Sequence, residues 1–228
     1  MENEAKNASV LPLAANETRL IFVRHGQSLG NLHHLFLGHT DLDLSELGYR
    51  QAELTCEYIL NHYEVLHVYS SDLLRAHHTV LPLAEKLGST VVLRQELREI
   101  FAGDWEGMAF DDIASRYPQG FDLWCHQIGS AACTNGESVA DLRERIAAEA
   151  ERIAVRHQGQ TVCIGSHATP IRMLGTIWKG IPIDQAHKLP FPTNASASVA
   201  VYQNGKFSRC ECYSYVDYMG EIKTKLNL

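Results

Sequence analysis

The sequence predicts an α/β fold: a doubly wound three-layer sandwich, with helices on both faces of a mainly parallel sheet and an insertion over the active site. Three observations support it. Short runs of β-forming residues alternate with helical segments, a pattern typical of parallel sheets joined by crossover helices. The predicted helices between the strands are about 10–20 residues long, as crossover helices of a sheet covered on both faces are. The 228 residues are enough for one such domain and too few for two ordinary ones.

The first half of the chain alternates strand and helix signals. Its predicted elements are strands at residues 19–24, 65–70 and 91–94 and helices at residues 45–58 and 72–87. Ser45 is the expected N-cap of the first helix, and Gly88 is the expected end of the second. Pro82 should kink the second helix, because its ring has no N–H and crowds the carbonyl of His78.

The second half ends in a hairpin and contains one interruption. Its predicted elements are strands at residues 160–166, 198–202 and 207–213 and helices at residues 139–157 and 170–179. Asn204-Gly205 is the expected turn of the closing hairpin. Residues 101–137 are rich in glycine and aromatic residues and break the alternation, so we interpret them as an insertion. We expect a loose tail at residues 1–17 and one catalytic domain at residues 18–228.

Composition excludes several classes of protein. The net charge of −7 argues against a nonspecific nucleic-acid or anionic-membrane binder, which needs a broad basic surface. No apolar run is long enough for a membrane span, and the N-terminal segment lacks the features of a secretory signal. The six cysteines have neither zinc-site spacing nor disulfide density, so free thiols in the cytoplasm are expected. Cys210 and Cys212 should share one face of a strand, where packing is favoured over metal binding.

Side chains that can carry positive charge follow three predicted strands and so form three groups. Arg24 and His25 follow the first strand, Arg75 follows the second, and His167 stands where a later strand meets a helix. Arg75 in the first turn of a helix opposes the helix dipole, so it either pairs with Asp72 or faces an anion. A histidine at such a junction is often a plain cap or packing residue. Because the carboxyl ends of parallel strands meet at one edge, the three groups together favour an anion site.

Gly26 follows this Arg–His pair directly. A residue without Cβ would let the backbone approach a ligand closely. After the first strand we therefore expect a fixed cation, Arg24, and a candidate nucleophile, His25, beside a backbone segment that a ligand can approach closely.

These residues belong to five ordered motifs that span roughly residues 19–202. The motifs are Arg24-His25-Gly26, residues 71–76, Leu97-Arg98-Glu99 with Gly103-Asp104-Trp105-Glu106-Gly107, Asn135-Gly136-Glu137-Ser138, and Ser166-His167. In this order they resemble the histidine phosphatase superfamily, also called phosphoglycerate-mutase-like. The resemblance implies a doubly wound fold and a phosphohistidine intermediate at His25. It also implies a phosphate pocket of Arg24, Arg75 and His167, with Asn31 as a phosphate contact and Glu99 as the proton donor.

The chemistry of a phosphomonoester agrees with that assignment. Two guanidinium groups and an imidazolium can neutralise the dianion without a metal, and we expect no cofactor. His25 must be neutral to attack, so one ring nitrogen should donate to a backbone carbonyl of the following loop. The leaving alkoxide needs a proton from a carboxyl group, for which Glu99 is the first candidate and Glu106 the second. Further substrate contacts are expected from Ser28, Leu37, Gly38 and Ala168.

Two departures from the family pattern bear on the reaction. Leu37 stands where many members have a polar side chain, so this end of the pocket should make apolar contacts or use backbone N–H groups. Ile100-Phe101 replaces the basic run typical of the mutases, which favours release of phosphate to water. The Trp105-Glu106-Gly107 motif also resembles the phosphatase branch.

The preferred function is therefore a cytoplasmic, metal-independent phosphatase acting on a small phosphorylated metabolite. The alternatives are a phosphoglycerate mutase and a non-catalytic relative that binds phosphorylated ligands. A metal-dependent hydrolase is a weaker interpretation of the twelve histidines, because no carboxylate completes a ligand triad around pairs such as His77-His78. The hairpin near Asn204 could pair two subunits in a homodimer.

Overall fold

The computed structural model describes residues 12–224 and contains a six-stranded sheet with order β4-β3-β6-β1-β7-β8. The strands are β1 Glu17–Arg24, β2 Leu35–Phe36, β3 Val65–Ser70, β4 Val91–Leu93, β5 Met108–Ala109, β6 Thr161–Ser166, β7 Ala197–Gln203 and β8 Lys206–Tyr215. The first four strands in that order run parallel. Strand β7 pairs antiparallel with both β1 and β8, and β2 pairs with β5 in a separate ribbon. The predicted mainly parallel sheet with a closing hairpin is confirmed.

Seven α-helices and five 3₁₀ helices lie within the described residues. The α-helices are α1 Leu29–Leu32, α2 Glu46–His62, α3 Leu74–Lys86, α4 Phe110–Arg116, α5 Pro118–His126, α6 Val139–Arg156 and α7 Ala168–Trp178. The 3₁₀ helices are Gln95–Leu97, Gly103–Trp105, Ile128–Ser130, Ile183–Lys188 and Asp217–Ile222. None of the helices between residues 12 and 224 is long and apolar enough to cross a membrane.

Helices cover both faces of the sheet because successive residues of its central strand point to opposite sides. Leu20 and Phe22 of β1 pack in the core cluster that includes α6 and α7. Ile21 and Val23 pack in a second cluster with α2 and α3. The insertion joins the first cluster, with Trp105 completely buried. This arrangement confirms the predicted three layers.

Some element boundaries differ from the predicted ones. Residues 1–11 of the expected tail lie outside the described residues, and β1 already begins at Glu17. Helix α3 continues through Pro82. Helix α7 begins two residues before Pro170, which places the proline in the first turn, where a missing N–H costs nothing. Residues 101–137 contain β5, α4 and α5 and so are more regular than their composition suggested.

The expectation that Cys210 and Cys212 share a face is wrong. The register of β8 shifts between the partners of these two residues, so one extra residue opposes β7 there. Such a bulge turns the side chains that follow it toward the other face. Cys210 accordingly packs against the cluster of α6 and α7, and Cys212 against that of α2 and α3.

Candidate active site

Four groups predicted for the anion site lie at one edge of the sheet and are buried. Arg24 ends β1, His25 follows it, Arg75 lies in the first turn of α3 after β3, and His167 lies between β6 and α7. Their exposed fractions are 3%, 5%, 1% and 0%, respectively. The His25 and His167 ring centroids are 5.3 Å apart. Parallel pairing of β1 and β6 produces this proximity, because the His25 N–H donates to the Ser166 carbonyl at 3.0 Å.

Both arginines are held by backbone carbonyls. Arg24 Nη1 donates to Pro192 O at 2.5 Å, while Arg75 donates to Gly38 O at 2.7 Å and Thr40 O at 2.8 Å. Burial lowers the pKa of each arginine to about 10, so both stay protonated at neutral pH. The Nε atoms of both are buried and have no partner among the described residues. Two buried charges with unused donors form a site for an anion.

The alternative that Arg75 pairs with Asp72 at the surface is wrong. Arg98 donates two hydrogen bonds to Asp72, at 2.6 and 2.5 Å. Arg75 is instead buried; burial lowers its pKa, and of the carboxylates that oppose this shift Glu99 has the largest effect.

The ring of His25 is oriented by the loop that follows it, as predicted. Its Nδ1 lies 2.7 Å from Gly26 O, and since a carbonyl only accepts, we assign the proton to Nδ1. Nε2 then carries the lone pair. Burial and the charges of Arg75 and Arg24 lower the pKa of His25 well below 6.5, so the ring is neutral at neutral pH. A neutral, oriented imidazole is the form that a nucleophile requires.

His167 fits neither of the two non-functional alternatives, a helix cap or a plain packing residue. It occupies the N-cap position of α7 without any side-chain capping bond, and neither ring nitrogen has a partner among the described residues. Burial and the Arg75 charge lower its pKa well below 6.5. The protein's own groups therefore favour a neutral imidazole rather than the expected imidazolium, although a phosphate dianion beside the ring would favour protonation.

Asn31 presents its amide nitrogen as a donor because its oxygen is occupied. Its Oδ1 accepts from the Ser28 N–H at 3.2 Å and from Asn194 Nδ2 at 3.0 Å. Ser28, a predicted substrate contact, instead caps α1 with its hydroxyl and is not among the residues that line the cleft. Asn194 also donates to the carbonyl oxygens of His25 and Gly26. The sequence analysis missed Asn194, which precedes an antiparallel strand whose start lies at the same edge as the end of β1.

The two candidate acids have different surroundings. Glu99 lines the cleft, and its carboxylate accepts from its neighbour Ile100 N at 2.8 Å and from Thr169 N of α7 at 3.2 Å. Glu106 accepts four hydrogen bonds, from the backbone of residues 39, 40 and 102 and from the Thr40 hydroxyl. Its oxygens hold the loop that anchors Arg75, so the geometry favours Glu99 as the acid.

Arg24, His25, Asn31, Arg75, Glu99 and Asn194 line one cleft of about 910 Å³, part of it open to solvent. His167 lies just outside this lining, with its ring centroid 5.3 Å from that of His25. The lining residues are Arg24, His25, Asn31, His34, Leu35, Phe36, Leu37, Gly38, Arg75, Glu99, Phe110, Trp124, Ala168, Thr169, Phe191, Asn194 and Thr224. Leu37, Gly38 and Ala168 are thus brought to the site. Gly26 is not: a Cβ there would lie 2.6 Å from Gly48 O of α2. The glycine is needed for contact between the loop and a helix, not with a ligand.

The weaker interpretation of the histidines as metal ligands has no support in the described residues. Within residues 12–224, no group of three or more His, Cys, Asp or Glu side chains has a suitable arrangement. His78 instead bonds to Asp43 at 2.7 Å and to the Tyr49 hydroxyl at 3.1 Å.

Comparisons with known proteins give a family match and structural neighbours. Residues 20–212 match the model of the histidine phosphatase superfamily (branch 1). Phosphoserine phosphatase 1 of Hydrogenobacter thermophilus is 33% identical over 168 residues, which cover 73% of this chain and 79% of that protein. The structure of Bacillus stearothermophilus YhfR has a TM-score of 0.83 at 27% identity and covers 89% of this chain and 99% of its own. A mycobacterial glucosyl-3-phosphoglycerate phosphatase has a TM-score of 0.77 at 28% identity, with coverage of 88% and 100%.

Proposed function

The chain belongs to the histidine phosphatase superfamily, and on that premise we propose that it is a cytoplasmic, metal-independent phosphatase that hydrolyses small phosphomonoesters through a phosphohistidine at His25. The observation that carries the proposal is the set of buried polar atoms without partners. Arg24 Nε, Arg75 Nε and both ring nitrogens of His167 are all of this kind. Such groups cost free energy unless a ligand satisfies them, and a phosphoryl group has the oxygens to do so.

In the first step the phosphoryl oxygens accept hydrogen bonds from Arg24, Arg75, His167 and Asn31. His25 Nε2 attacks phosphorus while Nδ1 keeps its hydrogen bond to the backbone, which stabilises the positive charge that the ring gains. The P–O bond to the leaving group breaks. The arginines offset the charge on the equatorial oxygens throughout.

Glu99 supplies the proton that the leaving alkoxide needs. Its position, with one oxygen at the N-terminus of α7, keeps the carboxyl group at the cleft wall. In the second step the same group, now a carboxylate, accepts a proton from water as water attacks phosphohistidine. Inorganic phosphate leaves and His25 is restored.

Turnover of p-nitrophenyl phosphate in EDTA tests the proposal. Wild type should be active in EDTA, and His25→Ala should lose roughly 10³-fold or more in kcat/KM. His126→Ala is the matched control, since that histidine is largely exposed and does not line the cleft. Mass spectrometry after an alkaline quench should detect phosphate on the peptide that contains His25. Activity that EDTA abolishes and a divalent metal restores would contradict the proposal, as would full activity of His25→Ala.

The role of Glu99 has a separate test based on the leaving group. An alkoxide needs protonation, whereas p-nitrophenolate is stable without it. Glu99→Gln should therefore lower kcat/KM, which reports phosphohistidine formation and not its hydrolysis, far more for an alkyl phosphate than for p-nitrophenyl phosphate. An equal loss of kcat/KM for both substrates would remove Glu99 from the acid role.

The same assays separate the alternatives. A mutase would interconvert 2- and 3-phosphoglycerate faster than it releases phosphate. Arg98, which precedes Glu99, does not support a mutase, because it is already paired with Asp72. A binding protein would be inert toward every phosphomonoester in a panel.

A further inference from the structure

Besides the groups assigned to phosphate, the cleft is lined by a set of apolar residues. This apolar wall consists of Leu35, Phe36, Leu37, Phe110, Trp124 and Phe191. It combines residues from β2 and the loop after it, from helices α4 and α5 of the insertion, and from the segment before β7. The leaving group of a bound phosphomonoester must occupy the part of the cleft that the phosphoryl group does not fill.

The aromatic rings of the wall hold one another in place. The Phe36 centroid lies 4.9 Å from that of Trp124 and 5.8 Å from that of Phe110. Trp124 and Phe191 stack at 6.3 Å, and the Arg172 guanidinium lies 4.1 Å from the Phe191 ring centroid. Rings fixed in this way lose little conformational entropy when a ligand packs against them. The wall is thus a preformed apolar surface.

Few residues that line the cleft can carry a charge besides those assigned to the phosphate site. Of the described residues that line the cleft, Arg24, His25, Arg75 and Glu99 belong to that site, and His34 is the one other residue that can carry a charge. Two other arginines do not line the cleft. Arg145 pairs with Glu137. Arg172 donates to the Ala186 carbonyl and lies over the Phe191 ring, and its Nε has no partner among the described residues.

We propose that the leaving group of the natural substrate is an uncharged, largely apolar alcohol or phenol, large enough to pack against Phe36, Trp124 and Phe191. This inference rests on the proposed phosphatase function and names its substrate class. A charged leaving group such as serine or glycerate would lose hydration at the wall without gaining an ion pair. The substrate of the phosphoserine phosphatase relative therefore does not transfer to this chain.

Three primary alkyl phosphates test the inference because their leaving alcohols share the same reaction. They are ethyl phosphate, 2-phenylethyl phosphate and O-phosphoserine. The wild-type kcat/KM should be about 10–100-fold higher for 2-phenylethyl phosphate than for either other substrate, the range that apolar contacts supply. Inhibition should follow the same order, with 2-phenylethylphosphonate binding more tightly than ethylphosphonate.

Truncation of the wall should remove the preference without removing the chemistry. Phe191→Ala and Phe110→Ala alter half-buried rings, and each should lower kcat/KM for 2-phenylethyl phosphate roughly tenfold while ethyl phosphate changes little. Phe191→Leu should retain most of the preference. Tyr215→Ala, an aromatic truncation on β8 outside the cleft, should change neither substrate. Because damage to the fold would lower both rates together, the ratio isolates the wall.

The failures are distinguishable. If no phosphomonoester is hydrolysed, the proposed function fails and this inference fails with it. If ethyl phosphate or O-phosphoserine is hydrolysed as well as 2-phenylethyl phosphate, the phosphatase function stands and the apolar leaving group is wrong. An unchanged substrate ratio in both wall variants would also overturn the inference.

Discussion

Arg145 of α6 makes the most extensive set of contacts to the segment that carries Glu99, so its replacement is the sharpest test of how the acid is positioned. Its guanidinium donates to both oxygens of Glu137 at 2.8 and 2.7 Å. It also donates to the carbonyl oxygens of Glu96, Arg98 and Glu99 at 2.8, 3.1 and 3.2 Å. One side chain therefore joins the end of the insertion to the backbone of the acid and of the residues just before it.

The structure sets the size of the effect. The side chains of Arg145 and Glu137 are 23% and 15% exposed, so the pair is mostly but not fully buried. Loss of one partner of a buried pair costs about 3–5 kcal/mol, and partial exposure reduces this to about 2–3 kcal/mol for Arg145→Gln. For a chain of this size the Tm should fall by roughly 4–12 °C. A small displacement of Glu99 should lower kcat for ethyl phosphate by about tenfold.

The assay combines thermal unfolding with two substrates. If Arg145 positions the acid, Arg145→Gln should slow hydrolysis of ethyl phosphate more than that of p-nitrophenyl phosphate, whose leaving group needs no proton. Arg156→Gln, at the exposed end of the same helix, is the control and should change neither quantity by much. A lower Tm with an unchanged ratio of the two rates would refute the positioning of Glu99 by Arg145 and leave only a structural role.

Three further predictions follow from other contacts. Gly26→Ala should lower the Tm and the activity together, because the new Cβ would lie 2.6 Å from Gly48 O; a variant with wild-type Tm would contradict this. Glu106→Gln replaces one of two acceptor oxygens by an NH2 donor, so some of the four hydrogen bonds to the loop that binds Arg75 are lost. KM for phosphomonoesters should then rise several-fold, and an unchanged KM would count against this role. Burial lowers the pKa of His25 well below its unfolded value of 6.5. Below pH 6.5 the unfolded chain therefore binds more protons than the folded one, and the free energy of unfolding decreases as the pH falls. Thermal unfolding should give a lower Tm at about pH 5.5 than at about pH 7.5, and the opposite order would refute the assignment.

Local patterns in the sequence determined most of the fold. Alternation of strand and helix signals predicted the parallel sheet, and the Asn204-Gly205 turn predicted the closing hairpin, where both residues have positive φ. The carboxyl ends of parallel strands lie at one edge of the sheet, whatever the separation of the strands in the chain. The sequence therefore also placed Arg24, Arg75 and His167 together. Family motifs added Glu99, which the sequence alone would not have distinguished from other carboxylates.

Only the tertiary structure decided which groups serve the site and which support it. The sequence analysis ranked Glu99 first and Glu106 second as the acid, and the structure shows why: four hydrogen bonds commit Glu106 to a loop. Asn194 carries no local signal, because its role depends on an antiparallel strand that starts where β1 ends. The apolar wall likewise combines residues as distant as Phe36 and Phe191. Sequence periodicity reports the direction of a side chain within its own element, whereas hydrogen-bond partners and shared surfaces arise from contacts between elements that no local pattern encodes.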